Sequence, residues 1–360
     1  MKKSLLELDP EADALLILRC PNLQQVHPVK EQDVQHEKHK AELRTTSPPQ
    51  TQGKKKSKAP TDLNDITSLQ PYQETGNPNE IEFRVSAKHL CGASPVFRKM
   101  IKGNFQESQP NDKGFLEIRA SEWNAWALLV LLDIIHGHHR QVPRNLDLDT
   151  VAQIGFLVDY YDCLEIVQVF FDHWQAHLPD WWKYTWPHID KSLTNSFGEA
   201  EPLLLFIALK FQNPLAFKRL TISAILRTPG LIETHLPIPS EILDKIDQQR
   251  IGLLDQLFSR LYTLQEDLLA GRVGCSQECS CRLLGYLMKQ MRDLGLPMMR
   301  PESPFLGFSV TSVADFFRGI KTPFWLDKKQ KADPCKLEKS LCLDAEGLDI
   351  STAGLKLEDY

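Results

Sequence analysis

IEFRVSAKHLCGASPVFRKMIKGNFQES, residues 81–108, decides how the chain folds. Ile81, Phe83 and Val85 alternate with Glu82 and Arg84, a period of two that turns one face of a strand into a core. Ser86 then caps a short helix over Ala87 to Cys91, its hydroxyl accepting a backbone N–H that the first turn leaves unpaired. Ser94-Pro95 opens a second helix, since proline at the first helical position gives up no hydrogen bond. Val96, Phe97, Met100 and Ile101 recur at helical spacing, and Gly103 stops the run. The stretch reads as strand, short helix, short helix, turn.

Upstream, Asp13-Ala14-Leu15-Leu16-Ile17-Leu18-Arg19 is an apolar run suited to a buried first strand, placed in residues 11–21. Residues 22–79 change character. They hold few large apolar side chains, mix charges of both signs, and include Ser47-Pro48-Pro49, Lys54-Lys55-Lys56 and Gly76-Asn77-Pro78. Such a segment cannot bury enough apolar surface to offset ordering entropy, so a disordered insertion is expected there. Its length is tolerable because loop-closure cost grows only logarithmically.

Downstream, Phe115 to Arg119 gives a third strand, and Ser121 is expected to cap a helix from Glu122 to His136. That helix is apolar nearly all round, as a helix buried on several sides would be. Leu148 to Tyr161 and Leu164 to Leu178 follow as helices and complete a unit spanning 80–180. Residues 181–326 lose strand signals. Pro202 to Phe211, Pro214 to Leu226 and Ser240 to Ala270 read as helices, the last capped by Ser240 and stopped by Gly271. Its stripe of Leu243, Ile246, Leu253, Leu257, Leu261, Leu264 and Leu268 reads as a core face, because sustained heptads with flanking charges are missing. Residues 327–360 turn polar and read as a flexible tail. The fold class is therefore α+β: a small sheet with clustered helices, then a mainly helical C-terminal region.

Lys88-His89-Leu90, Ala93-Ser94-Pro95-Val96-Phe97 and Phe105-Gln106-Glu107-Ser108, in this order, resemble the signature of the BTB/POZ domain, a protein-interaction module. Ile134-Ile135-His136-Gly137, Arg140-Gln141-Val142-Pro143-Arg144 and Leu157-Val158-Asp159-Tyr160-Tyr161 make the chain more narrowly similar to the BTB proteins abundant in filamentous fungi. The resemblance implies a dimerising or scaffolding protein, with a homodimer contact at Leu15, Leu16, Ile17, Leu18, His89 and Leu90. It also implies an alternative. In BTB adaptors of cullin-type ubiquitin ligases, an apolar-x-Glu motif after the second short helix contacts the cullin scaffold, and Phe105 and Glu107 match it. Phe105 would be an apolar anchor and Glu107 a charge at the rim. No recognisable substrate-recruiting repeat accompanies the motif.

Composition narrows the remaining classes. The chain has 360 residues, 42% hydrophobic and 25% charged, ordinary for a globular protein with room for two modest domains. A net charge of −5 gives no general attraction to nucleic acid or anionic membrane. No apolar run approaches the ~20 residues of a membrane span. No secretory signal is expected, since Glu7 and Asp9 interrupt the apolar start. The eight cysteines then read as reduced thiols in cytoplasm or nucleus. The basic run Gly53 to Lys58 could act as a nuclear import signal or an anion contact, and Ser47-Pro48 could accept phosphate. Neither a nucleophile elbow, a phosphate-binding glycine loop nor a His-Glu-x-x-His motif is present, so no catalysis and no cofactor are expected. The chain has no finger spacing and no basic zipper, so direct nucleic-acid binding is not expected.

Two clusters invite a metal reading. Cys275, Cys279 and Cys281 are spaced C-x3-C-x-C, three thiols where structural zinc takes four donors; Cys335, Cys342 or a histidine would have to supply the fourth. A zinc-stabilised nuclear regulator is the corresponding function, set against inert thiols near a helix start. His136, His138 and His139 lack a completing carboxylate or thiol nearby, and fit a solvated helix C-terminus.

Overall fold

The computed structural model describes residues 3–26, 80–103, 105–185, 197–293, 295–324, 335–341 and 354–360. The chain divides into two compact units: residues 1–182 with 206–212 and 234–236, and residues 183–205, 213–233 and 237–360.

The first unit is built on a four-stranded sheet: β1 (Lys3–Glu7), β2 (Ala14–Arg19), β3 (Glu80–Val85) and β4 (Leu116–Ser121), in the order β1-β3-β2-β4. β2 lies between β3, which runs antiparallel to it, and β4, which runs parallel. Leu16 faces Phe83 on one side and Ile118 on the other, so the alternating apolar residues of three strands meet on one face. Ala14, Leu16, Leu18, Ile81, Phe83, Val85 and Ile118 are all fully buried. β1, which pairs parallel with β3, was not legible in the sequence: Leu5 and Leu6 are adjacent and give no alternation.

Between β3 and β4 the chain makes α1 (Ala87–Ala93) and α2 (Pro95–Lys102), as the two serines require. Ser86 accepts from the His89 N–H. Ser94 does more. Its own N–H closes α1 on the Leu90 carbonyl, and its hydroxyl oxygen accepts the Phe97 N–H at 3.0 Å to start α2. The same hydroxyl donates at 2.5 Å to the Tyr161 carbonyl, one of the orphan acceptors ending α4 (Leu148–Tyr161). The Phe97 and Tyr161 rings stack above this junction, 4.2 Å between centroids.

α3 (Ala125–Ile135) is buried along its length except at Trp126. Its cap is Asn124, accepting from the Ala127 N–H, and not Ser121. Ser121 ends β4 instead, and Glu122 takes a left-handed φ of 70° that turns the chain before the helix begins. α5 (Leu164–Trp174) is shorter than expected. A 3-10 turn at Gln175–His177 follows, and Phe171 stacks on Phe211 and meets Trp181 edge-on. α6 (Trp181–Thr185) and α7 (Glu201–Lys210) come next. Asn22, Leu23 and Gln24, read as the start of the insertion, are placed: their N–H groups donate to the Trp123 and Glu122 carbonyls. Residues 27–79 of that expected disordered segment lie outside the described residues.

The second unit gathers α8 (Pro214–Arg227), α9 (Ser240–Leu269), α10 (Gln277–Asp293), α11 (Val310–Gly319) and α12 (Leu337–Ser340). α9 presents the expected apolar stripe to a core, with Ile242 and Leu254 buried where Leu243 and Leu253 were expected to be. It has no side-chain cap; Pro239 precedes it, so the capping role expected of Ser240 is not seen. Arg250 lies in this stripe, fully buried, and is held by charge and geometry. It donates to Asp247 at 2.7 Å and to the Pro304 carbonyl at 2.8 Å, with longer contacts to the carbonyls of Phe305 and Phe308. A buried guanidinium is tolerable only when its donors are satisfied in this way.

Two pieces of the stretch read as a flexible tail, 335–341 and 354–360, are packed, and the rest of it lies outside the described residues. Leu337 and Leu341 join the core around α9 and α10. Leu355 is buried, its N–H donating to the Thr221 hydroxyl at 3.0 Å. Gly354 before it has φ 105°, and a Cβ there would fall 2.6 Å from Ile222, so only glycine fits.

The Ser94 junction yields a direct test. Ser94→Ala removes the α2 cap and leaves the buried Tyr161 carbonyl unpaired, and is expected to destabilise the first unit by about 2–3 kcal/mol. A shift of the urea midpoint of that unit, with unchanged slope, measures it.

Candidate functional site

The turn after α2 carries two residues singled out by sequence, Phe105 and Glu107. Gly103 closes α2 on the Lys99 carbonyl. A Cβ at Gly103 would lie 2.7 Å from the Phe105 ring, so the glycine lets the ring fold back over the helix end. The Phe105 carbonyl accepts from the Ser108 N–H at 3.2 Å and from its hydroxyl at 2.6 Å, closing a 3-10 turn over Gln106–Ser108. Above this turn the Phe105 side chain remains 50% exposed. Glu107, half-buried, points into a polar cleft of about 210 Å³ lined by Gln109, Pro110, Asn111, Glu117 and Arg119. In that cleft the Asn111 amide donates to Glu117 at 2.9 Å, and Arg119 lies 3.6 Å from the same carboxylate. An apolar ring and a carboxylate presented on one turn are an arrangement that can anchor a protein partner.

Of the six residues expected at a dimer contact, four are buried in the unit itself. Leu16, Leu18 and Leu90 are fully buried and Ile17 nearly so, all within the unit's own core. The reason is topological: β2 is a central strand with neighbours on both sides, and its continuous apolar run reflects burial of both faces. Only Leu15, half-buried, and His89, exposed, reach the surface. The six residues form no outward apolar face.

The three histidines do not converge on a metal. His136 accepts the Ser86 N–H at Nε2 (3.0 Å) and donates from Nδ1 to the Leu132 carbonyl (2.8 Å), so both ring nitrogens are engaged and the ring is neutral. His138 turns to the buried Asp133 carboxylate, 3.2 Å away. His139 packs edge-on against Phe170. Burial pushes His136 below its ordinary 6.5, assisted by the nearby rings of His89 and His138 and opposed by the Leu132 hydrogen bond and by Asp9. Burial likewise pushes Asp133 above the usual carboxylate range, with His138 opposing. Cys163, buried between α4 and α5, has its thiol pushed up to about 12 by burial and by Asp162, which makes it a poor nucleophile.

The cysteines rearrange the expected trio. The sulfur atoms of Cys275, Cys279 and Cys335 all lie within 4.8 Å of one another. Cys281 is exposed and outside the group, because two residues along α10 rotate it about 200° from Cys279. Cys335 could be named from sequence only as one of several possible donors, since no local spacing ties it to the other two. Cys342 lies outside the described residues.

The His136 geometry fixes a pH dependence. Folded, the ring is held neutral; unfolded, it titrates near 6.5, so the unfolded chain takes up the proton first. Stability present above that value is therefore lost as pH falls below it. Asp133 acts with the opposite sign, its penalty easing as pH falls through its raised folded pKa toward 3.8. Between about pH 7.5 and about pH 5.5 the melting temperature of the first unit is expected to fall. His136→Gln, which keeps an acceptor for the Ser86 N–H and cannot titrate, is expected to flatten the profile; an unchanged slope would assign it elsewhere.

Among the described residues no helix is long and apolar enough to cross a membrane. Comparison with models of protein families, with curated proteins and with solved structures finds no match.

Proposed function

We propose that the chain is a non-catalytic protein-interaction module of the BTB/POZ kind, docking a partner through Phe105 and Glu107. The observation that carries this reading is the half-exposed Phe105 ring on a turn closed by two hydrogen bonds from Ser108 to the Phe105 carbonyl. A side chain held ready in this way loses little entropy when it is buried by a partner. The placement of α1 and α2 between β3 and β4, with β2 at the centre of the sheet, supports the same reading, because it is the order a BTB module needs. Among partners, the cullin-type scaffold that the resemblance implies fits an apolar anchor beside a carboxylate. Self-association through β2 and α1 gains less support, since most of the residues it would use are already buried in the monomer.

The test is co-purification of a cullin scaffold with the full chain and with Phe105→Ala and Glu107→Ala. Truncating an anchor of this type costs about 2 kcal/mol, roughly thirty-fold in affinity, and the rim charge less. Loss of recovery with Phe105→Ala, at an unchanged melting temperature, is the expected result. Equal recovery of all three proteins, or no recovery of any, would refute docking at this turn.

A further inference from the structure

We infer that Cys275, Cys279 and Cys335 form a zinc site that clips the segment around α12 onto the start of α10. Three thiols from two segments remote in sequence meet within 4.8 Å in a chain with only eight cysteines. Sulfur atoms around a tetrahedral zinc at ~2.3 Å stand ~3.8 Å apart, so small side-chain rotations bring this trio to ligand distance. The thiols are graded from exposed Cys275 through half-buried Cys335 to buried Cys279, leaving a route of entry for an ion.

Both sides of the site are built without the ion. On one side, Gly274 has φ 117°, and a Cβ there would fall 3.0 Å from the Ser280 nitrogen. The glycine therefore lets the chain fold tightly enough to lay Cys275 against the first turn of α10. Ser276 accepts the Cys279 N–H at 3.1 Å, and the buried Ser280 hydroxyl donates to the Leu268 carbonyl at 2.6 Å, tying that turn to the end of α9. On the other side, Leu337 donates its N–H to the Thr322 hydroxyl, and the Thr322 N–H donates to Glu338, both at 2.8 Å. Leu337 and Leu341 plug into the core that also holds Cys279. Cys335 is thus presented from a moored segment.

The donor set selects the ion. Thiolates are soft ligands that favour zinc over magnesium or calcium. Binding converts three thiols to thiolates and releases three protons, so a zinc ion with these ligands carries one net negative charge. The first turn of α10 offers its backbone N–H dipoles to that charge. The fourth position of the tetrahedron falls to water or to a further donor. The gain for the fold is the closure of the long connection from α10 to α12, where a single clip removes much chain freedom.

The test is metal content and spectroscopy of the full chain, purified with a thiol reductant and without chelator. About one zinc ion per chain is expected. Cobalt replacement should give a thiolate-to-metal charge-transfer band with tetrahedral ligand-field absorption. Cys279→Ser and Cys335→Ser should each lose the bound metal, while Cys281→Ser keeps it. Should a variant fail to fold, zinc protection of Cys275 against alkylation in the unmodified chain provides the same readout, with Cys281 as the unprotected reference. Folded protein that contains no zinc and shows no cobalt–thiolate band overturns the site. So does a disulfide within the trio in anaerobically purified protein, or full metal retention by Cys335→Ser.

Discussion

One hydroxyl group organises the first unit. Ser94 lies where α1 ends, α2 begins and α4 stops, and this one residue serves all three helix termini, its backbone N–H at α1 and its hydroxyl at α2 and α4. Buried helix ends carry unpaired backbone groups that must find partners, and a loop assembled from separate caps would need more room than one residue between two helices allows. Because the hydroxyl accepts from Phe97 and donates to Tyr161, the start of α2 is locked to the end of α4 in position and direction. The stacked rings of Phe97 and Tyr161 then fill the space above it. The Phe105 turn lies one short helix away and inherits its placement from this lock.

Much of this was legible in the sequence, and the failures have identifiable physical causes. The strand, both short helices and their caps could be read from Ile81 to Ser108 because serine and proline at those positions have strong local preferences that packing reinforces. The start of α3 was misplaced because Ser121 and Asn124 are both competent caps, and the choice between them rests on the left-handed turn at Glu122. The residues expected at a dimer contact illustrate a different limit. An unbroken apolar run signals burial on both faces, so the same feature that marks β2 as a strand argues against its availability to a partner. The leucines at 337, 341 and 355 are isolated in polar surroundings, and only long-range contacts reveal their burial.

For the surface residues the limits are sharper. Phe105 and Glu107 could be picked out by their pattern, but the exposure of the ring depends on Gly103 and Ser108 acting together. Cys335 belongs with Cys275 and Cys279 through folding alone. In both places local sequence names the chemical group, and tertiary structure decides what it can touch. Arg250 is the converse: its side chain looks like a flaw in an apolar stripe, yet it holds the 304–308 turn against α9 through carbonyls that no sequence pattern advertises.

The unforeseen β1 has a consequence for solubility. Without it, β3 would offer a bare row of amide and carbonyl groups along the rim of the sheet, an invitation to pairing with a strand of another molecule. Five residues laid parallel to that rim, with Glu7 and Arg84 paired across it, occupy the rim and add charge beside it. Shortening the chain from its start would therefore trade a tidy sheet for a sticky one, and aggregation would be the first symptom.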